Sequence, residues 1–251
     1  MTSPVDALLF LTIGFAGGFL GSILGIGGGS LMTPLLLAVG YDITVAVPAS
    51  LLAIVGTSLG GLYVYEEKGL IDYDLAVTAE AVTVPGSLTG VLIASAGFKE
   101  AMKLTLAVIL LLISIDMIRP TKQGNNGENA GPSTHPLVGY ASMYLAGMIS
   151  ALAGIGGGVL KVPVLHKLMG VDIKKAVATS KLMVGLTGAA GALGYYLGGL
   201  LNSCLALSLL AGSLAGGLVG ARTGVKLSGR LIKVLFSLFL LAMSVLVIVR
   251  G

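Results

Sequence analysis

Apolar residues run almost unbroken over about 7–24, 44–65, 73–97 and 101–119, and again over 137–153, 176–196, 203–222 and 230–249. Each run approaches the ~20 residues a helix needs to cross a bilayer, so the pattern predicts eight spans. Two shorter runs, 30–40 and 159–170, each follow a glycine triplet and hold an early proline. Helices of about eleven residues rise only ~16 Å, roughly half the hydrocarbon thickness. They read as half-helices or re-entrant segments, which are tolerated only inside protein or facing water.

The two short runs share more than length. Leu24-Gly-Ile-Gly-Gly-Gly-Ser-Leu-Met-Thr-Pro34 recurs as Ala153-Gly-Ile-Gly-Gly-Gly-Val-Leu-Lys-Val-Pro163, identical at 7 of 11 positions with an offset of 129. After one inserted residue the offset becomes 130, pairing Gly40 with Gly170, Asp42 with Asp172, Ser50 with Ser180, Gly69 with Gly199 and Gly86 with Gly216. The chain therefore divides into a first transmembrane repeat (1–120), a linker (121–136) and a second repeat (137–251). The linker is rich in Gly, Asn, Ser and Pro, the composition of a flexible exposed connection.

Composition sets the class. The 251 residues are 55% hydrophobic and 10% charged, with mean hydropathy +1.00, against roughly 25% charged in soluble domains. Too little charge remains to cover a soluble surface, so the chain is an all-α polytopic membrane protein in contact with the lipid bilayer. The net charge of +4 is spread over loops, which argues for topology determinants and against a nucleic-acid partner. A single cysteine, Cys204, excludes an intrachain disulfide framework.

Charge also tests the arrangement of the repeats. Placing 25–44 and 154–175 on the cytoplasmic side puts ten Lys and Arg inside and four outside, as the positive-inside rule favours. An even number of spans per half then follows, with parallel pseudo-twofold repeats and both termini outside. An odd number would invert the repeats and put the basic loops 98–103 and 222–233 on opposite sides.

Consecutive glycines can turn their N–H groups toward one point, and the start of the following helix adds partial positive charge. Gly27, Gly28 and Gly29, with Ser30, and Gly156, Gly157 and Gly158 thus form candidate walls of an anion site. The competing reading is close helix packing, to which small residues in membranes often contribute. Thr179-Ser180-Lys181, aligned with Ala49-Ser50-Leu51, would supply a cation and hydroxyl donors, with Ser50 from the other half. Alternatively, Lys181 snorkels to the interface beside Lys174 and Lys175. Lys161 faces the same choice. Glu80, opposite Leu210 in the repeat, is a candidate proton-coupling carboxylate or a structural hydrogen-bonding group. Asp42 and Asp172 read as helix N-caps. No HExxH, GxSxG or P-loop is present, so neither an enzyme nor a cofactor or metal is expected.

A duplicated chain of this length, with GIGGG and a following proline in each half and Ala178-Thr-Ser-Lys181 in the second, resembles the TauE/SafE sulfite exporter family. That resemblance implies secondary transport of sulfite or an organosulfonate, usually outward across the cytoplasmic membrane. The anion would lie between the two glycine motifs, with Lys181, Ser180 and Ser50 adding charge and hydrogen bonds. The alternatives are a transporter or channel for another small anion or sulfur compound, including uptake, and an intramembrane enzyme or assembly subunit.

Overall fold

The computed structural model describes residues 4–24, 27–118 and 136–224, with positions 241, 244, 245 and 247. Nearly all of them are helical. The first segment holds α1 (Pro4–Leu24), α2 (Gly29–Ala38), α3 (Ile43–Glu66), α4 (Tyr73–Ser95) and α5 (Lys99–Ile118). The second holds α6 (Pro136–Ala153), α7 (Gly158–Pro163), α8 (Ile173–Leu197) and α9 (Ser203–Gly224), with α7 passing into a π turn over Val164–Leu168. These follow the apolar runs of the sequence closely. Most of the predicted span 230–249 and nearly all of the linker 121–136 lie outside the described residues, while Pro136 opens α6.

Among the described residues five helices are long and apolar enough to cross a membrane: Asp6–Ile23, Ile43–Glu66, Tyr73–Ser95, Lys174–Leu197 and Ser203–Thr223. Their outward faces carry leucines such as Leu92 and Leu197, each at least 70% exposed. Such a surface suits lipid and not water. The chain is a multi-pass membrane protein.

Glycines set the helix packing. A Cβ at Gly86 of α4 would stand 2.1 Å from the carbonyl oxygen of Tyr144 on α6, and one at Gly216 of α9 2.1 Å from that of Phe15 on α1. Gly90 meets the Met148 carbonyl, and Gly220 that of Phe19, in the same way. Backbones approach this closely only where no side chain intervenes, and the interface gains van der Waals contact in return. In both pairs the residue numbers rise together, so α1 runs parallel to α9 and α4 to α6.

The central pair runs the other way. Leu51 of α3 packs on Gly188 and Gly191 of α8, Ser58 on Gly185, and Gly61 on the Lys181 side chain. Ascending α3 thus means descending α8. The ends agree: the Asp72 N–H, in the loop after α3, donates to the hydroxyl of Thr179 near the start of α8 at 3.0 Å. At the opposite end Lys99, which opens α5, pairs with Asp42 before α3 at 3.4 Å.

The expectation of parallel halves is therefore corrected. Its error was in counting the short segment as neutral to topology. The Tyr41 hydroxyl, just past α2, returns to Asp6 of α1 at 3.1 Å, and its ring meets Phe10 edge-on at 4.9 Å. α1 and α2 form a hairpin that begins and ends on one side, so the even count of passes that made the halves parallel does not hold. The charge count falls with it. Lys99 lies at one end of the bundle and Lys174 and Lys175 at the other, so the argument that put both termini outside no longer holds.

Candidate functional site

The two glycine loops meet at the centre of the bundle. Gly28 (φ 76°) and Gly157 (φ 72°) cap α2 and α7 in left-handed geometry, and Gly27 (φ 89°) and Gly156 (φ 73°) share it. Residues with a Cβ rarely adopt these angles, which explains the glycine type at these positions. A Cβ at Gly29 would stand 2.5 Å from the Gly154 carbonyl oxygen, so one loop lies directly on the other. The Thr33 hydroxyl donates to that same carbonyl at 3.1 Å. Ile54 of α3 and Val184 of α8 fill the space around the loops, each within 3.0 Å of a Cβ placed on Gly156. From this contact α2 runs toward Tyr41 and α7 toward Asp172, so two helix starts face one region. No side chain caps either of them, and helix starts of this kind favour negative charge.

Lys181 adds a cation. It is 1% exposed, its stem lies over Gly61 of α3, and its ammonium has no hydrogen-bond partner among the described residues. The snorkelling reading is thereby overturned, because the side chain stays inside the bundle. Among the described residues five buried hydroxyls likewise lack partners: Ser22, Ser30, Ser50, Thr57 and Ser150. Ser30 and Ser50 were expected from the sequence. The hydroxyls of Thr179 and Ser180 are engaged elsewhere in this conformation. Thr179 accepts from Asp72 N–H at 3.0 Å and Ser180 donates to the Val177 carbonyl at 2.8 Å.

Lys161 and Glu80 are neither solitary nor interfacial. They are 0% and 5% exposed and form an ion pair at 2.6 Å. The Lys161 ammonium also donates to the Met183 carbonyl at 3.0 Å and to the Thr187 hydroxyl, which itself donates to Glu80 Oε2 at 2.6 Å. The sequence reading missed this pairing because the residues are 81 positions apart. It also missed Thr57, Thr187, Ser22 and Ser150. Thr57 and Thr187 did carry a signal, since they occupy matched positions at the offset of 130.

The helix caps are as expected. Asp42 accepts from the Thr44 N–H at 2.9 Å and Asp172 from the Lys174 N–H at 2.9 Å. Hydrogen bonds from the Thr44 hydroxyl and N–H, with Lys99 nearby, hold the Asp42 carboxyl below the usual aspartate range.

A multi-pass bundle with two broken helices meeting at its centre, and with a buried cation on α8 that has no partner among the described residues, has the plan of a membrane transporter. The sulfite exporter TauE/SafE family matches residues 10–247, and the chain belongs to that family. It is 28% identical to the probable membrane transporter protein YunE of Bacillus subtilis over 228 residues, covering 82% of this chain and 84% of the relative. It is 29% identical to a probable membrane transporter protein of Xylella fastidiosa over 251 residues, covering 97% and 96%. A probable membrane transporter protein of Methanocaldococcus jannaschii is 27% identical over 198 residues, covering 74% and 71%. No solved structure matches. The chain is thus a membrane transporter and not an enzyme.

Proposed function

We propose that this chain carries a small sulfur oxyanion, sulfite or an organosulfonate, outward across the cell membrane by alternating access. The observation that carries the reading is the Lys181 ammonium, buried and without a partner among the described residues. A buried unpaired charge is costly, and a compact anion supplies the missing countercharge. Sulfite and sulfonates present several acceptor oxygens, which suits N–H groups of the Gly27–Gly29 and Gly156–Gly158 loops, apart from that of Gly27, which donates to the Gly21 carbonyl, and the unpartnered hydroxyls of Ser30 and Ser50. Ser180 and Thr179 would join once the conformation releases their present bonds.

Two inverted repeats, 1–120 and 137–251 around the linker 121–136, are the frame we infer for alternating access. The sequence offsets and the opposed directions of α3 and α8 support it. In such transporters the site lies where broken helices of the two repeats meet, and rocking opens it to either side in turn.

Reconstituted protein should move sulfite or methanesulfonate out of loaded liposomes. Folded protein that moves neither overturns the substrate class, and movement of a different anion in the same assay favours the alternative of another small-anion carrier or an uptake system.

A further inference from the structure

We propose that Glu80, Lys161 and Thr187 form a proton-binding site whose occupancy sets the affinity of the central anion site, so that proton and anion travel together. This rests on the anion-transport reading and adds the coupling ion to it.

The cluster is neutral and closed on itself. An ammonium has three protons, and Lys161 gives them to Glu80 Oε1 at 2.6 Å, the Met183 carbonyl at 3.0 Å and the Thr187 hydroxyl. A proton taken from water onto the Glu80 carboxylate leaves a neutral carboxyl and an uncompensated Lys161 ammonium. In a low-dielectric interior that bare charge is unfavourable, and a nearby anion relieves it. The anion region is near. Lys161 lies three residues past Gly158, and its Cε would lie 3.5 Å from a Cβ on Gly157. Its carbonyl partner Met183 sits between Lys181 and Val184 on α8.

The packing does not require this pair. At the matched positions of the other half stand Met32 for Lys161 and Leu210 for Glu80, with Thr57 for Thr187. Met32 is fully buried there. Apolar residues thus stand at both matched positions, and such residues are often at least as stabilising as a buried ion pair. An ion pair kept in one half only therefore points to a role other than stability.

Among the described residues, the groups around Glu80 leave Lys161 as its ionic partner. α8 turns the Thr187 hydroxyl toward Glu80 and the Met183 carbonyl toward Lys161, and the apolar cluster on this part of α4 holds Ala76, Ala79 and Met143. On α6 the Tyr144 hydroxyl bonds to Thr89, over two turns further along α4. On α5, Lys99 pairs with Asp42 and Lys103 with Glu100 at the end of the bundle. His166, past α7, is bonded through Nδ1 to the Val171 carbonyl.

The sign follows from charge. Protonated Glu80 raises anion affinity, and by reciprocity a bound anion makes Glu80 easier to protonate. Proton and anion then move in the same direction.

The test uses the full chain in liposomes enclosing a pH-sensitive dye, with methanesulfonate and sulfite as probes. With one proton per anion, a gradient of one pH unit drives about tenfold methanesulfonate accumulation, falling to about onefold in Glu80→Gln. The double variant Glu80→Leu with Lys161→Met copies Leu210 and Met32 and guards against a folding failure. Accumulation that persists in either variant, or protons moving against the anion, overturns the proposal. Infrared difference spectra across a pH titration give a readout without transport: a protonated-carboxyl band, shifted by sulfite and missing in Glu80→Gln. Wild-type flux without that band overturns the coupling site alone. The band without any probe flux overturns the transport reading alone, and the absence of both overturns the two together.

Discussion

Thr33 of α2 donates its hydroxyl to the main-chain oxygen of Gly154 at 3.1 Å, which ties the first short helix to the glycine loop of the second segment. Both groups are buried there. Thr33→Val keeps the shape and removes the donor, leaving a carbonyl without its partner. Thermal unfolding in detergent should register a loss of about 1 kcal/mol; an unchanged midpoint would show that the contact contributes nothing.

Lys181→Met should move stability and binding in opposite directions. It removes a buried ammonium without a partner, so the ligand-free protein should unfold at a higher temperature. Methanesulfonate affinity should fall by about tenfold or more, the scale of one charge-assisted hydrogen bond. Equal affinity in the variant and the native chain would remove Lys181 from the site.

Gly86→Ala and Gly216→Ala should be damaging to a similar degree. In each case the new methyl would meet a carbonyl oxygen at 2.1 Å. The paired helices must separate, at a cost of roughly 1–3 kcal/mol. Gly40→Ala, where nothing lies within 4 Å but φ is 101°, tests backbone strain by itself. If denaturation shows the two buried variants no worse than Gly40→Ala, the close helix approach is not what those glycines serve.

The two ends of the bundle can be told apart chemically. With Cys204 replaced by Ser, Glu67→Cys and Lys174→Cys should react with an impermeant maleimide from the same side of the membrane. Lys99→Cys and Leu200→Cys should react from the other. Labelling of Lys99→Cys and Lys174→Cys from one side would restore the parallel arrangement.

Asp42 gives a pH dependence of known sign. Its folded-state carboxyl is held low, first by the Thr44 hydroxyl and then by the Thr44 N–H. Stability from this cap is complete above the unfolded aspartate value, about 4, and drains away as pH falls through the lower folded value. Asp42→Asn should flatten the acid limb of a stability-against-pH curve. A limb of unchanged slope would show that other carboxylates govern it.

Hydrophobic run length and glycine placement alone determined the helices, because each span must satisfy its own backbone in lipid. The runs 44–65 and 203–222 are found as Ile43–Glu66 and Ser203–Gly224. The same logic marked Asp42 and Asp172 as caps and Gly28 and Gly157 as breaks, since these are local matters of hydrogen bonding and φ. Orientation and pairing were another matter. Whether α2 returns beside α1 depends on Tyr41 reaching Asp6 and Phe10, and that contact reversed the relation of the two segments. Glu80 and Lys161 are ordinary single residues in the sequence; only the packing of α4, α7 and α8 made them an ion pair and left Lys181 as a buried cation without a partner. A residue's type sets which charge it can carry, but what neutralises that charge is decided by chain segments far away in sequence.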